Sequence, residues 1–314
     1  MSAKTTMSNA GQPTTTALHA LPRWKCWWLA ARPRTLTASL VPIVVGLALA
    51  PPRDSIGAAV ALATVLSALA IQVGVNFAND CFDAEAGIDT EARLGPMRAV
   101  QAGLVTPAQM KRAFALTLVV AVVFGAPLVV RGGLPILVVG LVSMICAWAY
   151  AGGPRPLASL GLGDLFVFVF FGIVPVAGTV WLQRLALPLE TLCVAVPIAL
   201  LAVAILVVNN LRDIPTDQAA GKRTLAVRLG DANTRIQYAL CVGAAMVWPL
   251  LLAPHLGAGA LLALLAAPLA VRAVRDVQER RGAQLNESLA ATARLQLVYG
   301  VMLAVGIVLT APSS

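Results

Sequence analysis

The chain has 314 residues, of which 59% are hydrophobic and 12% charged, with a net charge of +9. A soluble globular domain of this size does not carry so apolar a composition, which points to an integral membrane protein. Its five scattered cysteines and two histidines form no metal-spaced pair, so a disulfide framework, a zinc site and Ser-His-Asp catalysis are all excluded as readings.

Residues 1–22 are polar, rich in Thr and Ser, and lack an apolar core. They are expected to be a disordered N-terminus rather than a signal peptide, with a single membrane domain over 23–314. Trp24, Trp27 and Trp28, mixed with Arg23, Lys25 and Arg32, have the character of an interfacial anchor. Apolar runs of spanning length follow at 27–50, 57–79, 111–130, 133–150, 162–182, 188–209, 236–253, 256–273 and 292–312. The expected fold is therefore all-α and polytopic, with nine transmembrane helices.

Lysine and arginine sort these spans by side. With the N-terminus in the cytoplasm, twenty of the 23 basic residues fall on the cytoplasmic side. Only Arg53, Arg131 and Arg184 fall on the other. This asymmetry predicts an inner-membrane protein with its N-terminus inside and its C-terminus outside. It also accounts for the positive charge through anionic lipid, without nucleic acid.

Two acidic clusters stand out in a chain with only fourteen acidic residues. Asn79-Asp80-Cys81-Phe82-Asp83, with Asp89 beyond, closes the second span. Asn209-Asn210-Leu211-Arg212-Asp213, with Asp217 beyond, closes the sixth. Carboxylates at such places are costly unless a cation meets them. A spacing of four puts Asn79 with Asp83, and Asp213 with Asp217, on one helical face. Two such faces opposed would line a cage with oxygen, which suits Mg²⁺ shared with phosphate and water. Asn79, Asp83, Asp89, Asp213 and Asp217 are the candidate metal ligands. Both clusters are placed at the cytoplasmic mouth.

Basic residues accompany them. Lys222 and Arg223 follow the second cluster and Arg98 follows the first; each can neutralise a diphosphate or simply mark the cytoplasmic side. Tyr150-Ala151-Gly152-Gly153-Pro154-Arg155 breaks the helix between spans four and five, bringing Tyr150 and Arg155 toward the same mouth or forming an ordinary turn. Asp164 is an isolated intramembrane acid, functional or paired with an arginine. Asn76 is either a polar cavity wall or a helix–helix hydrogen bond. Phe166, Phe168, Phe170 and Phe171 line a cavity or face lipid.

Asn79-Asp80-x-x-Asp83 with Asp89, and Asp213-x-x-x-Asp217, resemble the two aspartate motifs of the UbiA superfamily of intramembrane aromatic prenyltransferases. Ala31–Leu36, Gly95–Gly103, Tyr150–Pro154 and Asn209–Leu225 are similar to the dihydroxynaphthoate branch, which serves menaquinone synthesis. The six-residue step from Asp83 to Asp89 matches that branch; the hydroxybenzoate branch steps by four. Met97 departs from it, where a basic residue is expected, and so does Asp164, which replaces Glu.

The resemblance implies nine helices around a central cavity, with Asp80, Asp83, Asp213 and Asp217 as catalytic carboxylates. It implies Mg²⁺ as cofactor and a polyprenyl diphosphate as donor, held with the aromatic acceptor by Arg98, Tyr150, Arg155, Lys222 and Arg223. The implied acceptor is 1,4-dihydroxy-2-naphthoate, prenylated with loss of CO₂. A 4-hydroxybenzoate-type prenyltransferase is the alternative within the superfamily. An ion-coupled transporter is the alternative from another class; it would place acids at the bilayer midplane rather than at one face.

Overall fold

The computed structural model describes residues 22–87, 94–150, 152 and 156–310. Among these residues the protein is all-helical. A short helix α1 (Arg23–Ala31) precedes α2 (Pro33–Leu49), α3 (Ser55–Glu85), α4 (Pro107–Gly132) and α5 (Leu134–Ala149). Then come α6 (Gly163–Arg184), α7 (Leu189–Ala219), α8 (Leu225–Leu256), α9 (Ala258–Glu279) and α10 (Gly282–Thr310). Seven of these are long and apolar enough to cross a membrane, and α2 and α5 are shorter apolar helices. The nine expected spans correspond to α2–α10, and the protein is a multi-pass membrane protein.

The first span differs from expectation. The run 27–50 breaks at Arg32, which adopts a left-handed backbone (φ 51°) before Pro33. A residue preceding proline is pushed out of the helical region, so the chain turns there. The result is a separate α1 with Trp24 and Trp28 exposed.

Local signals fix the helix ends. Asp54 accepts the Gly57 amide at 2.7 Å and caps α3. Thr106 and Gln109 form a reciprocal capping box at α4. α7 ends in a Schellman turn: Gly221 at φ 72° lets the Lys222 amide reach the Asp217 carbonyl and its own amide reach Gln218. A side chain is strained at that φ; glycine lets Lys222 fold back over the helix end.

The larger core joins α2 and α6–α10. Here α6 approaches α7 so closely that a Cβ on Gly172 would lie 2.1 Å from the Ala199 Cβ. Gly172 sits in a π-helical turn, Val169–Ile173, within α6. A second core joins α1, α3, the 99–105 segment and α4.

Between the two lies one large cavity of about 1150 Å³. That exceeds the roughly 300–1,000 Å³ of most small-ligand pockets. Its inner reach is apolar, bounded by Leu128, Ile136 and Leu182. The end away from the acidic clusters is fastened by side chains bound to helix-terminal carbonyls. Trp181 donates to Gly132 at 2.9 Å, Gln183 to Gly57 at 3.0 Å, Arg131 to Leu182 at 3.2 Å, and Arg184 to Leu49. The bonds to Gly132, Leu182 and Leu49 satisfy last-turn carbonyls that hydrocarbon cannot.

Candidate active site

Helices α3 and α7 run past their apolar stretches and carry both acidic clusters as continuous helix. Asn79, Asp83, Asn209, Asn210, Asp213 and Asp217 all border the cavity at one end. The two clusters meet through Lys222, whose Nζ lies 3.8 Å from Asp83 Oδ1 and 4.0 Å from Asp217 Oδ1. Carboxylates from helices more than a hundred residues apart thus share one ammonium group. The acids sit at helix ends, as an enzyme mouth requires and a midplane transport site does not.

Each carboxylate is held differently. Asp83 is buried and accepts from Arg98 Nη2 at 3.0 Å, and Arg98 is itself buried. Asp80, expected as a catalytic carboxylate, points away from this contact. It accepts the backbone amides of Ala99 at 2.9 Å and Val100 at 3.1 Å. That clamp sets the Arg98–Gly103 turn and thereby the base of Arg98. Asp213 accepts two bonds from Arg212, at 2.7 Å and 2.6 Å.

Arg212 is 2% exposed and spans three acceptors. Besides Asp213 it reaches Asn209 at 2.9 Å and Asn286 at 2.7 Å. Asn286 in turn donates to the Leu94 carbonyl at 2.8 Å. α7, α10 and the 94–103 segment are thereby one hydrogen-bonded unit. Sequence reasoning placed Arg212 in a motif without a partner and missed Asn286, which stands in a polar stretch, Gln284-Leu285-Asn286-Glu287-Ser288, ahead of the last expected span.

Tyr150 lines the cavity beside α6, and a Cβ on Gly163 would lie 3.4 Å from its hydroxyl. That hydroxyl is a donor at the cavity wall. Asp164 also borders the cavity and accepts from Gln237 on α8 at 2.5 Å, so its partner is an amide and not an arginine.

Arg223 departs from the others. It is exposed and lies outside the cavity lining, with its amide bound to the Ser159 carbonyl. Phe166, Phe170 and Phe171 line the cavity, the first two stacked at 5.8 Å, while Phe168 packs into the core. The expected sites Asp89 and Arg155 lie outside the described residues, as does the 1–21 segment.

Among the described residues no three His, Cys, Asp or Glu side chains converge into a metal cage. The donor set still suits magnesium. That ion is held by one or two carboxylates and completed by phosphate and water, and Asn79 with Asp83, and Asp213 with Asp217, supply such pairs. The position between Asp83 and Asp217 already receives a cation, the Lys222 ammonium.

Residues 39–305 match the UbiA prenyltransferase family. The chain is 39% identical over 281 residues to 1,4-dihydroxy-2-naphthoate octaprenyltransferase of Mycobacterium tuberculosis, covering 88% of this chain and 95% of that one. It is 37% identical over 300 residues to the Escherichia coli protein of the same name, covering 92% and 97%. In fold it is similar to a UbiA homolog from Archaeoglobus fulgidus bound to GPP and Mg²⁺, with a TM-score of 0.63, 13% identity, and coverage of 89% and 100%. The aspartate-bearing helices, their shared mouth and the apolar cavity beneath it thus belong to a member of the UbiA prenyltransferase family.

Proposed function

We propose that this chain transfers a polyprenyl group from its diphosphate to 1,4-dihydroxy-2-naphthoate, with release of CO₂ and diphosphate. The observation that carries the reading is the meeting of Asp83 and Asp217 across Lys222 at the mouth of a large apolar cavity. A diphosphate fits the charged mouth and an isoprenoid chain the apolar interior. The naphthoate acceptor follows from the names of relatives matched over nearly their full length.

Asn79, Asp83, Asp213 and Asp217 would hold Mg²⁺, which when bound supplies the positive charge that makes diphosphate a good leaving group. The remaining work falls to the protein. Arg98 and Lys222 neutralise phosphate oxygens, and the Asp80 clamp keeps Arg98 in place. The carbon–oxygen bond of the donor breaks, and its electron pair leaves with diphosphate. The ring carbon bearing the carboxylate forms the new carbon–carbon bond. Loss of CO₂ returns an electron pair to the ring, so no protein base or nucleophile is needed. Phe166, Phe170 and Phe171 line a dry wall that offers aromatic faces to an allylic cation.

Purified protein incubated with Mg²⁺, several polyprenyl diphosphates and a panel of aromatic acceptors should yield prenylated naphthohydroquinone by mass spectrometry. Product only from 4-hydroxybenzoate would overturn the acceptor assignment.

The mouth opens to the cytoplasm in this reading, and the N-terminus lies on the same side. Arg98 and Lys222 sit at that end, whereas Arg131 and Arg184 fasten the other. Single cysteines introduced near 90, 155 and 280 should react only with reagent reaching the cytoplasm, and one at the C-terminus only with external reagent. Labelling of 90 and 280 from opposite sides would refute this topology.

A further inference from the structure

We infer that Asn76 holds the aromatic acceptor: its amide oxygen accepts a hydrogen bond from the hydroxyl beside the ring carbon that is attacked. The inference rests on the naphthoate reading and names the residue that orients the ring.

Asn76 is 3% exposed, yet it borders the cavity. It lies seven residues before Asp83 on α3, almost two full turns, so the two share a face. At 1.5 Å per residue it sits about 10 Å deeper than the carboxylate. A diphosphate at the mouth would place its allylic carbon between these levels.

The orientation of the amide is dictated by its partners. Nδ2 donates to the Ala31 carbonyl at 2.8 Å and to Thr35 Oγ1 at 3.0 Å. A carbonyl can only accept, so the nitrogen must face Ala31 and the amide cannot flip. Both protons are spent on α1 and α2. The oxygen has no partner among the described residues, and it is not sealed in.

The surroundings keep it an acceptor. The Thr35 hydroxyl donates to the Arg32 carbonyl at 2.9 Å and receives Asn76 and Gln72, the latter at 3.3 Å. The Ser39 hydroxyl donates to Gln72 at 3.0 Å. Neither hydroxyl has a proton left for a ligand. The Asn76 oxygen therefore suits a group that donates, such as a phenolic hydroxyl. The Arg32 turn that ends α1 has a structural purpose here: it aims the last carbonyls of α1 at Asn76 and Thr35.

The chemistry rewards such a contact. Attack by the allylic cation places positive charge on the ring, conjugated to the adjacent hydroxyl. That O–H becomes a stronger donor until CO₂ departs and restores the ring, and it keeps its proton throughout. A hydrogen bond that strengthens on the way to the transition state raises turnover as well as binding.

The test uses the full chain in micelles with dihydroxynaphthoate and the ether in which the hydroxyl beside the carboxyl is O-methylated. The ether stays electron-rich but cannot donate. Wild type should prefer the free hydroxyl by about 100-fold or more in kcat/KM. Asn76→Leu should lower kcat/KM for dihydroxynaphthoate about 30-fold, with KM for the prenyl diphosphate within about twofold of wild type. It should also lose the preference over the ether. Thr35→Val keeps the oxygen but removes its clamp, so the preference should fall by several-fold; it carries the test if Asn76→Leu does not fold. Variants that turn over dihydroxynaphthoate but keep the wild-type preference would overturn the role of Asn76 and leave the proposed reaction standing. Wild type that ignores dihydroxynaphthoate altogether would overturn the reaction itself.

Discussion

Replacing Asp83 with alanine is expected to lower prenyl transfer by about a hundredfold or more, as when a principal electrostatic group is removed from an active site. The size follows from how this carboxylate is held. It is buried, 3.0 Å from Arg98 and 3.8 Å from Lys222. Without it the two cations face each other across the mouth, and α3 loses the acid proposed to meet a divalent ion. Asp83→Asn preserves shape and removes only charge, so it should lose nearly as much activity while keeping the fold. Asp213→Ala should act in the same direction from α7. Initial rates at saturating Mg²⁺, with a thermal midpoint for each variant, separate catalysis from stability. Near-normal rates in both alanine variants would end the model in which α3 and α7 build one site.

Arg212→Leu is expected to destabilise the folded protein by about 3–5 kcal/mol, the usual result of stripping one partner from a buried ion pair. The guanidinium is buried against Asp213, Asn209 and Asn286. Its removal leaves the Asp213 carboxylate enclosed without its cation. It also cuts the chain of bonds from α7 through Asn286 to Leu94, which supports the segment carrying Arg98. Arg212→Lys should rescue only part of the loss, because an ammonium cannot present the planar fork that meets Asp213 twice. Thermal unfolding in micelles reads the effect as a lowered midpoint. A midpoint unchanged in Arg212→Leu would mean that this cluster does not support the fold.

The spans were legible because an apolar run long enough to cross a bilayer has few alternatives to a helix. The sequence was misleading at its first span, where hydropathy continues through Arg32 although Pro33 forces the chain to turn. At the mouth, helical spacing and the four membrane crossings from the end of α3 to the end of α7 correctly brought Asp83 and Asp217 to one end of the bundle. Their common contact with Lys222 was less visible. It depends on the Gly221 turn, which reverses the chain after α7. The Asp80 clamp was hidden because a carboxylate on backbone amides and a carboxylate awaiting metal have the same sequence. The bond from Arg212 to Asn286 crosses 74 positions, beyond any local pattern. Among the phenylalanines, the π turn in α6 offsets the ordinary helical period, so spacing alone could not separate the cavity-facing rings from Phe168. Asn76 was ambiguous between wall and helix–helix bond; it is both, with its nitrogen on α1 and α2 and its side chain bordering the cavity.

Carboxyl-labelled 1,4-dihydroxy-2-naphthoate, given to the purified chain with Mg²⁺ and a polyprenyl diphosphate, tests the proposed reaction most directly. The expected result is label released as CO₂ in equal amount to prenylated product, with 4-hydroxybenzoate a poor substrate. Label retained in the prenylated product, or a preference for 4-hydroxybenzoate exceeding about tenfold (roughly 1.4 kcal/mol in transition-state binding), would contradict it.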